Sequence, residues 1–352
     1  MALFDVFRRT TSDADATTQP RRFGFAVVGL GHIADYFLEA LRDSPTCTVA
    51  AVVSGSAEKA AAAAKRYRVP HALTYPDFES LSNLPAVDAV YLALPVSMHL
   101  AYTQRAAAAG KHILCEKPMA STAEEARAMI AACQAAGVRL SIAYRCPYTF
   151  AHQRAREILR SGVLGSDLRI ESGFGFKLDP GWRTDGALAG GGSLFDVGIY
   201  PLNAARYLLG EEPTGVTDAS AVCDGKGLEQ SVQWTSSFPS GATARCRSSY
   251  VEHIPDTLRI TGSTGTLLLD PAFGHREGLR LQGEYTDPAT GRPVAVNEPT
   301  PKGAASHFRL EAEALASAVR GGVDTPTPGE DGLADMLAME AIYAAAGVVR
   351  RR

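Results

Sequence analysis

Lys117 lies between a carboxylate and a proline at the end of an apolar run, in AGKHILCEKPMA from Ala109 to Ala120. An amine so placed can hold a reacting oxygen and steer a proton. A second set is Asp196 and Tyr200, in GGGSLFDVGIY. A spacing of four puts both on one face of a helix, with Asn203 three residues further on. A carboxylate there can orient a hydroxyl, and a phenol can pass a proton. With a pKa of about 10, a phenol does this poorly unless a cation helps it. The glycines at 190–192 allow close approach of another chain or ligand. Blander readings exist for each set: a surface turn at Lys117, and a capped helix with an ordinary packed tyrosine at 200.

The elements needed to position these groups are visible in the first half. Phe25–Val28 reads as a buried strand. Gly29, Gly31 and Ala34 follow as G-x-G-x-x-A, and Ile33, Phe37, Leu38 and Leu41 continue in helical period. Gly29 permits the tight turn, Gly31 lets backbone approach a pyrophosphate, and Ala34 lets helix pack on strand. The N–H groups of the first helical turn, reached through Leu30, His32 and Ile33, face the anion. The next strand ends near Val53 and is followed by Ser54, Gly55, Ser56 and Lys59 rather than an acid. Hydroxyls and an amine accept a 2′-phosphate, so NADP is favoured over NAD. Ser56 can equally serve as a helix cap.

Strands are expected at Ala89–Ala93, 112–115 and 139–143, with helices near 99–109 and 123–136, the second capped by Ser121 or Thr122. Such βα repeats make a parallel sheet with ligands at the carboxyl ends of its strands. LPVSMH, with Leu94, Pro95 and His99, and CEKPMA, with Glu116 and Lys117, both fall at such ends. The chain therefore opens on an α/β Rossmann dinucleotide-binding domain, expected over 23–146.

From about 147 the pattern changes. YTFAHQRAREILRSGVLG reads as a helix and DLRIESGFGFKL as a strand. After the glycine-rich turn and its helix come GVTDASAVCD, SVQWTSSF, ATARCRSSYV, DTLRITGS and GTLLLDPA. Their spacing suggests an α+β domain over 147–345 with an open, predominantly antiparallel sheet. SHFRLEAEALASAVRGG and DGLADMLAMEAIYAAAG read as closing helices, and PATGRPVAVNEPTPKGAA as a surface excursion. A sheet with one polar face can serve as a substrate wall or a subunit interface.

The chain has 352 residues and a formal charge of −3, with 46% hydrophobic and 21% charged residues. That length suggests two domains, and the charge gives no attraction to nucleic acid. Six scattered cysteines suit a reducing compartment, and neither they nor the eight histidines show metal-ligand spacing. The polar stretch TTSDADATTQP follows Arg8 and Arg9, where an export signal needs an apolar run. Residues 1–22 read as a flexible arm of a cytoplasmic protein, and no run is long enough to span a membrane.

GFAVVGLG, AEKA, GKHILCEKPMA, AYR, WR and AGGGSLFDVGIYPLNAARYLLGEEP together resemble the glucose–fructose oxidoreductase family, which includes inositol dehydrogenases and related sugar oxidoreductases. The resemblance spans roughly 22–345. Stretch 187–213 is most similar to the subgroup that gives the family its name. It implies homo-oligomers, dimers or tetramers, that pair through the second sheet. It also implies that Lys117 contacts cofactor and substrate, that Asp196 is a substrate-site carboxylate, and that Tyr200 is the acid/base, a histidine in many relatives. Arg145 in AYR is expected beside this pocket, and Trp182 and Arg183 in WR near cofactor or sugar. The implied reaction moves hydride between NADP and a sugar carbinol, C1 of an aldopyranose such as glucose, giving the lactone. Keto-sugar reduction and diol oxidation use the same residues, and a non-catalytic dinucleotide sensor is the alternative of another class. One departure is Val96, where relatives often carry asparagine after the proline.

Overall fold

The computed structural model describes residues 21–275, 278–321 and 323–349. The arm expected over 1–22 lies, apart from Arg21 and Arg22, outside them.

The first sheet is built from β1 (Phe23–Val28), β2 (Cys47–Ser54), β3 (His71–Thr74), β4 (Ala89–Leu92), β5 (His112–Glu116) and β6 (Leu140–Ala143). Their order is β3-β2-β1-β4-β5-β6, and every pair is parallel. β1 is buried along its whole length, because helices cover both faces of such a sheet. These helices are α1 (His32–Ala40), α2 (Ala57–Tyr67), α3 (His99–Ala108) and α4 (Ala123–Ala136). Thr122 caps α4, its side chain accepting from Glu125 N at 3.1 Å. Strand β3 and the 3₁₀ segment Tyr75–Asn83 were not expected. HALT is four residues long, only partly buried and at the sheet edge, so no apolar run marks it.

α5 (Phe150–Arg160) leads into β7 (Arg169–Gly175). The short α6 (Gly186–Ala189) and then α7 (Ile199–Leu209) precede β8 (Gly215–Cys223), β9 (Glu229–Ser237), β10 (Thr243–Ser249), β11 (Ile254–Gly262), β12 (Gly265–Leu269), β13 (Arg280–Thr286) and β14 (Pro293–Pro299). These eight strands form one sheet in the order β14-β13-β12-β11-β7-β10-β9-β8. All its pairs are antiparallel except β7 with β10. Trp234, Ala244, Cys246, Leu258 and Ile260 point into the core shared with α5 and α7. Arg169, Glu171, Gln233, Arg245, Arg247 and Arg259 alternate with them and are exposed. The surface excursion expected around Pro293 is corrected: Pro293–Pro299 is edge strand β14, paired with β13. Proline is tolerated there because it stands at the strand ends on a sheet edge.

α8 (His307–Gly321) shares a core with the first sheet, placing Phe308, Ala312, Leu315 and Ala316 against Phe25, Val27 and Phe37. α9 (Gly329–Ala345) lies against α4 and β6 and also against α7 and β8. Arg206 of α7 is buried and pairs with Asp335 at 2.7 Å, Asp331 at 2.9 Å and Glu212. The helix that carries Tyr200 is thereby tied to α9.

His152 of α5 is wholly buried, its ring 6.0 Å from that of Phe273. Its Nδ1 meets Thr149 Oγ1 at 2.7 Å, and its Nε2 has no hydrogen-bond partner among the described residues. Burial, with Arg145 adding to it, pushes its pKa down to about 3. The folded state thus binds this proton less readily than the unfolded chain, whose histidines titrate at about 6.5. The resulting cost is absent above about pH 6.5, grows as pH falls and levels off near pH 3. We expect urea unfolding of wild type against His152→Leu to show a stability difference that shifts in the variant's favour by about 2 kcal/mol between about pH 7 and pH 5. A difference independent of pH would contradict this.

Candidate active site

The turn after β1 is built as its glycines require. Gly29 has φ +88°, and a Cβ there would lie 2.3 Å from the Ala93 carbonyl oxygen. Among the described residues, a Cβ on Gly31 would meet nothing within 4 Å and no side chain caps α1. That open space before a bare helix N-terminus fits the pyrophosphate of a dinucleotide. Leu30 and Ile33 pack against the core beneath it, while His32 is exposed.

At the end of β2, Ser54 is buried and its Oγ accepts from Ser56 N at 3.3 Å. Ser56 caps α2, accepting from Lys59 N at 3.2 Å, and donates its own hydroxyl to Glu58 Oε2 at 2.7 Å. Glu58 is a carboxylate that the sequence reading passed over.

Leu94 and Pro95 follow β4. His99 is wholly buried and braces that turn against the one after β5. Its Nε2 meets Leu94 O at 2.9 Å, and its Nδ1 meets Pro118 O at 3.1 Å and Met119 O at 3.2 Å. Both ring nitrogens are thus engaged with backbone, so His99 shapes the site through the two turns that it holds. Val96 packs toward Gly190, whose Cβ would lie 3.1 Å from Val96 Cγ1. The departure from asparagine therefore supplies an apolar contact to the glycine run.

Lys117, Asp196 and Tyr200 come together. Lys117 Nζ donates to the Asp196 carbonyl oxygen at 2.7 Å, lies 3.6 Å from Asp196 Oδ1 and stands 4.4 Å from the Tyr200 ring centroid. Arg183 Nη1 reaches Asp196 Oδ2 at 3.1 Å. Trp182 is half exposed beside it. Residues Leu194–Gly198 form a π-helical turn leading into α7, so Asp196 offers its carbonyl as well as its carboxylate to the site. Asn203 points elsewhere, donating to Asp335 at 2.9 Å.

The glycine run is crowded by protein. A Cβ on Gly192 would lie 1.9 Å from the Glu229 carbonyl oxygen, and one on Gly191 would lie 2.6 Å from the Phe195 ring. Buried Glu229 accepts from Gly192 N at 2.9 Å, Leu194 N at 3.0 Å and Tyr343 Oη at 2.8 Å, anchoring the start of the π turn.

Burial, the largest influence on the Lys117 amine, lowers its pKa, but Tyr200, Asp196 and Glu116 together leave it raised. Burial raises Asp196, yet Lys117 and Arg183 hold it below the usual range. Both therefore carry their charges. Burial, the largest influence on the Tyr200 phenol, raises it; Lys117 favours tyrosinate as expected from the sequence, and Arg145 does too, but together they leave the phenol raised. Glu116 is likewise raised by burial although Tyr91 donates to it; its other oxygen accepts from Lys117 N at 3.2 Å.

Arg145 is buried, and its guanidinium holds the segment after β12. It donates to the Phe273 carbonyl, to Gly274 O at 2.6 Å and to His275 Nδ1 at 3.2 Å. Phe273 stacks on Tyr200 with ring centroids 5.6 Å apart. Tyr250, buried beside Asp196, and the Phe273–His275 segment went unnoticed in the sequence, because isolated aromatics in loops carry no spacing signal. Glu229 leaves none either: it stands at the start of its strand, off the alternation that buries Val232 and Trp234. Among the described residues, no group of three His, Cys, Asp or Glu side chains could hold a metal ion, and no helix is long and apolar enough to cross a membrane.

Residues 23–144 match the model of the oxidoreductase family with an NAD-binding Rossmann fold, and residues 152–268 match the GFO/IDH/MocA C-terminal domain. The chain belongs to the Gfo/Idh/MocA oxidoreductase family. It is 32% identical to a D-xylose 1-dehydrogenase [NADP(+)] of Haloarcula marismortui, over 96% of this chain and 94% of that one. It is 30% identical to the mouse (Mus musculus) trans-1,2-dihydrobenzene-1,2-diol dehydrogenase, over 76% of this chain and 81% of that one. Its fold is similar to that of the aldose-aldose oxidoreductase of Caulobacter crescentus crystallised with glycerol, with TM-score 0.86 and 37% identity, covering 93% of this chain and 98% of that one.

Proposed function

We propose that this enzyme is an NADP-dependent sugar oxidoreductase acting at a carbinol, C1 of an aldopyranose such as glucose, to give the lactone. The observation that carries it is the meeting of a charged amine, a carboxylate and a phenol at the open end of β5, with Lys117 Nζ 4.4 Å from the Tyr200 ring centroid. Gly29, Leu30, Gly31, His32 and Ile33 would hold the pyrophosphate, and Ser54, Ser56 and Lys59 the adenosine end. Leu94, Pro95, Glu116 and Lys117 would line the nicotinamide end. The Ser56 hydroxyl can turn from Glu58 to a phosphate oxygen, and the relative that names NADP supports this choice.

NADP, when bound, supplies the hydride acceptor. The protein does the rest. Asp196, held by Arg183, orients a sugar hydroxyl, with Trp182 beside it. Lys117 donates to the reacting oxygen, and Tyr200 takes the hydroxyl proton in oxidation or returns it in reduction. The raised Tyr200 phenol favours the proton-giving form at neutral pH, which supports a second reading as a keto-sugar reductase. A scan of aldoses, ketoses and diols with NADP and NADPH separates the two. Oxidation of aldoses is the expected result, and turnover confined to ketoses with NADPH would move the assignment to reduction. We propose a nucleotide half over 23–146, a substrate half over 147–345, pairing of subunits through the exposed face of the second sheet, and a cytoplasmic setting.

A further inference from the structure

His275 stands between the two ends of the site. Its ring lies 5.8 Å from Tyr36 of α1, 5.7 Å from His307 and 5.9 Å from Phe308 of α8, and 6.3 Å from Tyr200. Tyr36 is four residues along α1 from His32, at the bare helix N-terminus, whereas Tyr200 belongs to the proton-transfer pair. His275 therefore touches residues of both ends between which the nicotinamide ribose of a dinucleotide would run. Although ringed by these groups, His275 keeps an exposed surface.

Its hydrogen-bonding character is fixed by Arg145. A guanidinium has no acceptor, so the 3.2 Å contact from Arg145 Nη1 makes His275 Nδ1 the acceptor. A neutral imidazole then carries its one proton on Nε2. Withdrawal from water, with Arg145, Lys117 and His32 adding their charge, lowers the pKa of the ring and keeps it neutral at pH 7. Arg145 is itself clamped to the carbonyls of Phe273 and Gly274, so ring and backbone are set together.

We propose that His275 is a cofactor-binding residue contributed by the second half of the chain, presenting a fixed Nε2–H donor to the nicotinamide ribose and the phosphate it carries. The inference rests on the dinucleotide reading above. It gives Arg145 a role distinct from direct cofactor contact: a positioning residue that selects the tautomer of His275. It also links the halves, since the segment after β12 reaches across to α1 and α8.

The test is titration of the full chain, followed by its intrinsic fluorescence, with NADPH and, separately, with 2′,5′-ADP, which lacks the nicotinamide mononucleotide: the nicotinamide, its ribose and the phosphate on that ribose. His275→Phe keeps the ring but loses the donor, and His275→Gln keeps a donor at the Nε2 position. We expect His275→Phe to weaken NADPH about tenfold or more, as for one hydrogen bond to an ionised or strongly polar group. Binding of 2′,5′-ADP should stay within about twofold, and His275→Gln should recover most of the loss. NADPH binding by His275→Phe equal to wild type overturns the proposal, as does equal weakening of both ligands. Absence of NADPH binding by the wild type would instead overturn the dinucleotide reading itself. Thermal unfolding of each variant, close to that of wild type, confirms that the titrations compare folded proteins.

Discussion

Lys117→Met lowers kcat by about a thousandfold and leaves NADPH affinity within about tenfold of wild type. The amine is charged, donates to the Asp196 carbonyl at 2.7 Å and stands over the Tyr200 ring. In the reaction it would stabilise charge developing on the sugar oxygen, which a thioether cannot do. Methionine keeps most of the side-chain length and so limits the cavity left behind. Asp196 remains paired with Arg183, so its carboxylate is not stranded. Steady-state kinetics and NADPH titration on the same preparation check both halves of this expectation. An unchanged kcat would remove Lys117 from the chemistry, and a loss confined to affinity would make it a cofactor contact only.

Tyr200→Phe has the second large effect, a loss of about 10²–10⁴-fold, the range for a missing general acid or base. The Phe273 stack at 5.6 Å needs only the ring, so the fold should be retained. The sign of the pH dependence follows from the raised phenol. Oxidation requires the deprotonated oxygen, so the wild-type oxidation rate climbs with pH toward and beyond about 10. Reduction uses the phenol, stays level through neutrality and falls at the same alkaline end. Phenylalanine removes both dependences. An identical pH slope in wild type and variant would refute the assignment of proton transfer to Tyr200.

The first half of the fold was legible because a doubly wound sheet writes itself strongly. Its strands are short buried runs, its helices are periodic, and its glycines have steric reasons that the structure repeats at Gly29 and Gly31. The second sheet was legible in character, through alternation such as that of β9 and β10, but its far edge was not. β14 carries proline at both ends and half-exposed residues between, which reads as loop when pairing with β13 is unseen.

Within the site, sequence spacing brought Asp196 and Tyr200 onto one segment, yet the π turn between them could not be foreseen. It depends on Glu229, 33 residues beyond Asp196 in the chain, taking the N–H groups of Gly192 and Leu194. The same limit hid the clamp of Arg145 on Phe273, Gly274 and His275. Residue types at fixed intervals reveal local geometry, whereas these contacts arise only when segments far apart in the chain meet. The net state of Tyr200 was hidden for a related reason. Proximity of Lys117 was inferred correctly, but the opposing cost of burial depends on the aromatic wall of Phe174 and Phe273, which has no signature in the sequence.

The most direct test mixes the purified enzyme with NADP and glucose and follows absorbance at about 340 nm, where the reduced nicotinamide absorbs. Wild type should show a rise, slowed when the sugar carries deuterium at C1, and Lys117→Met should show almost none. A rise equally fast with deuterated sugar and undiminished in Lys117→Met would contradict hydride transfer from the anomeric carbon at the site where the amine, carboxylate and phenol meet.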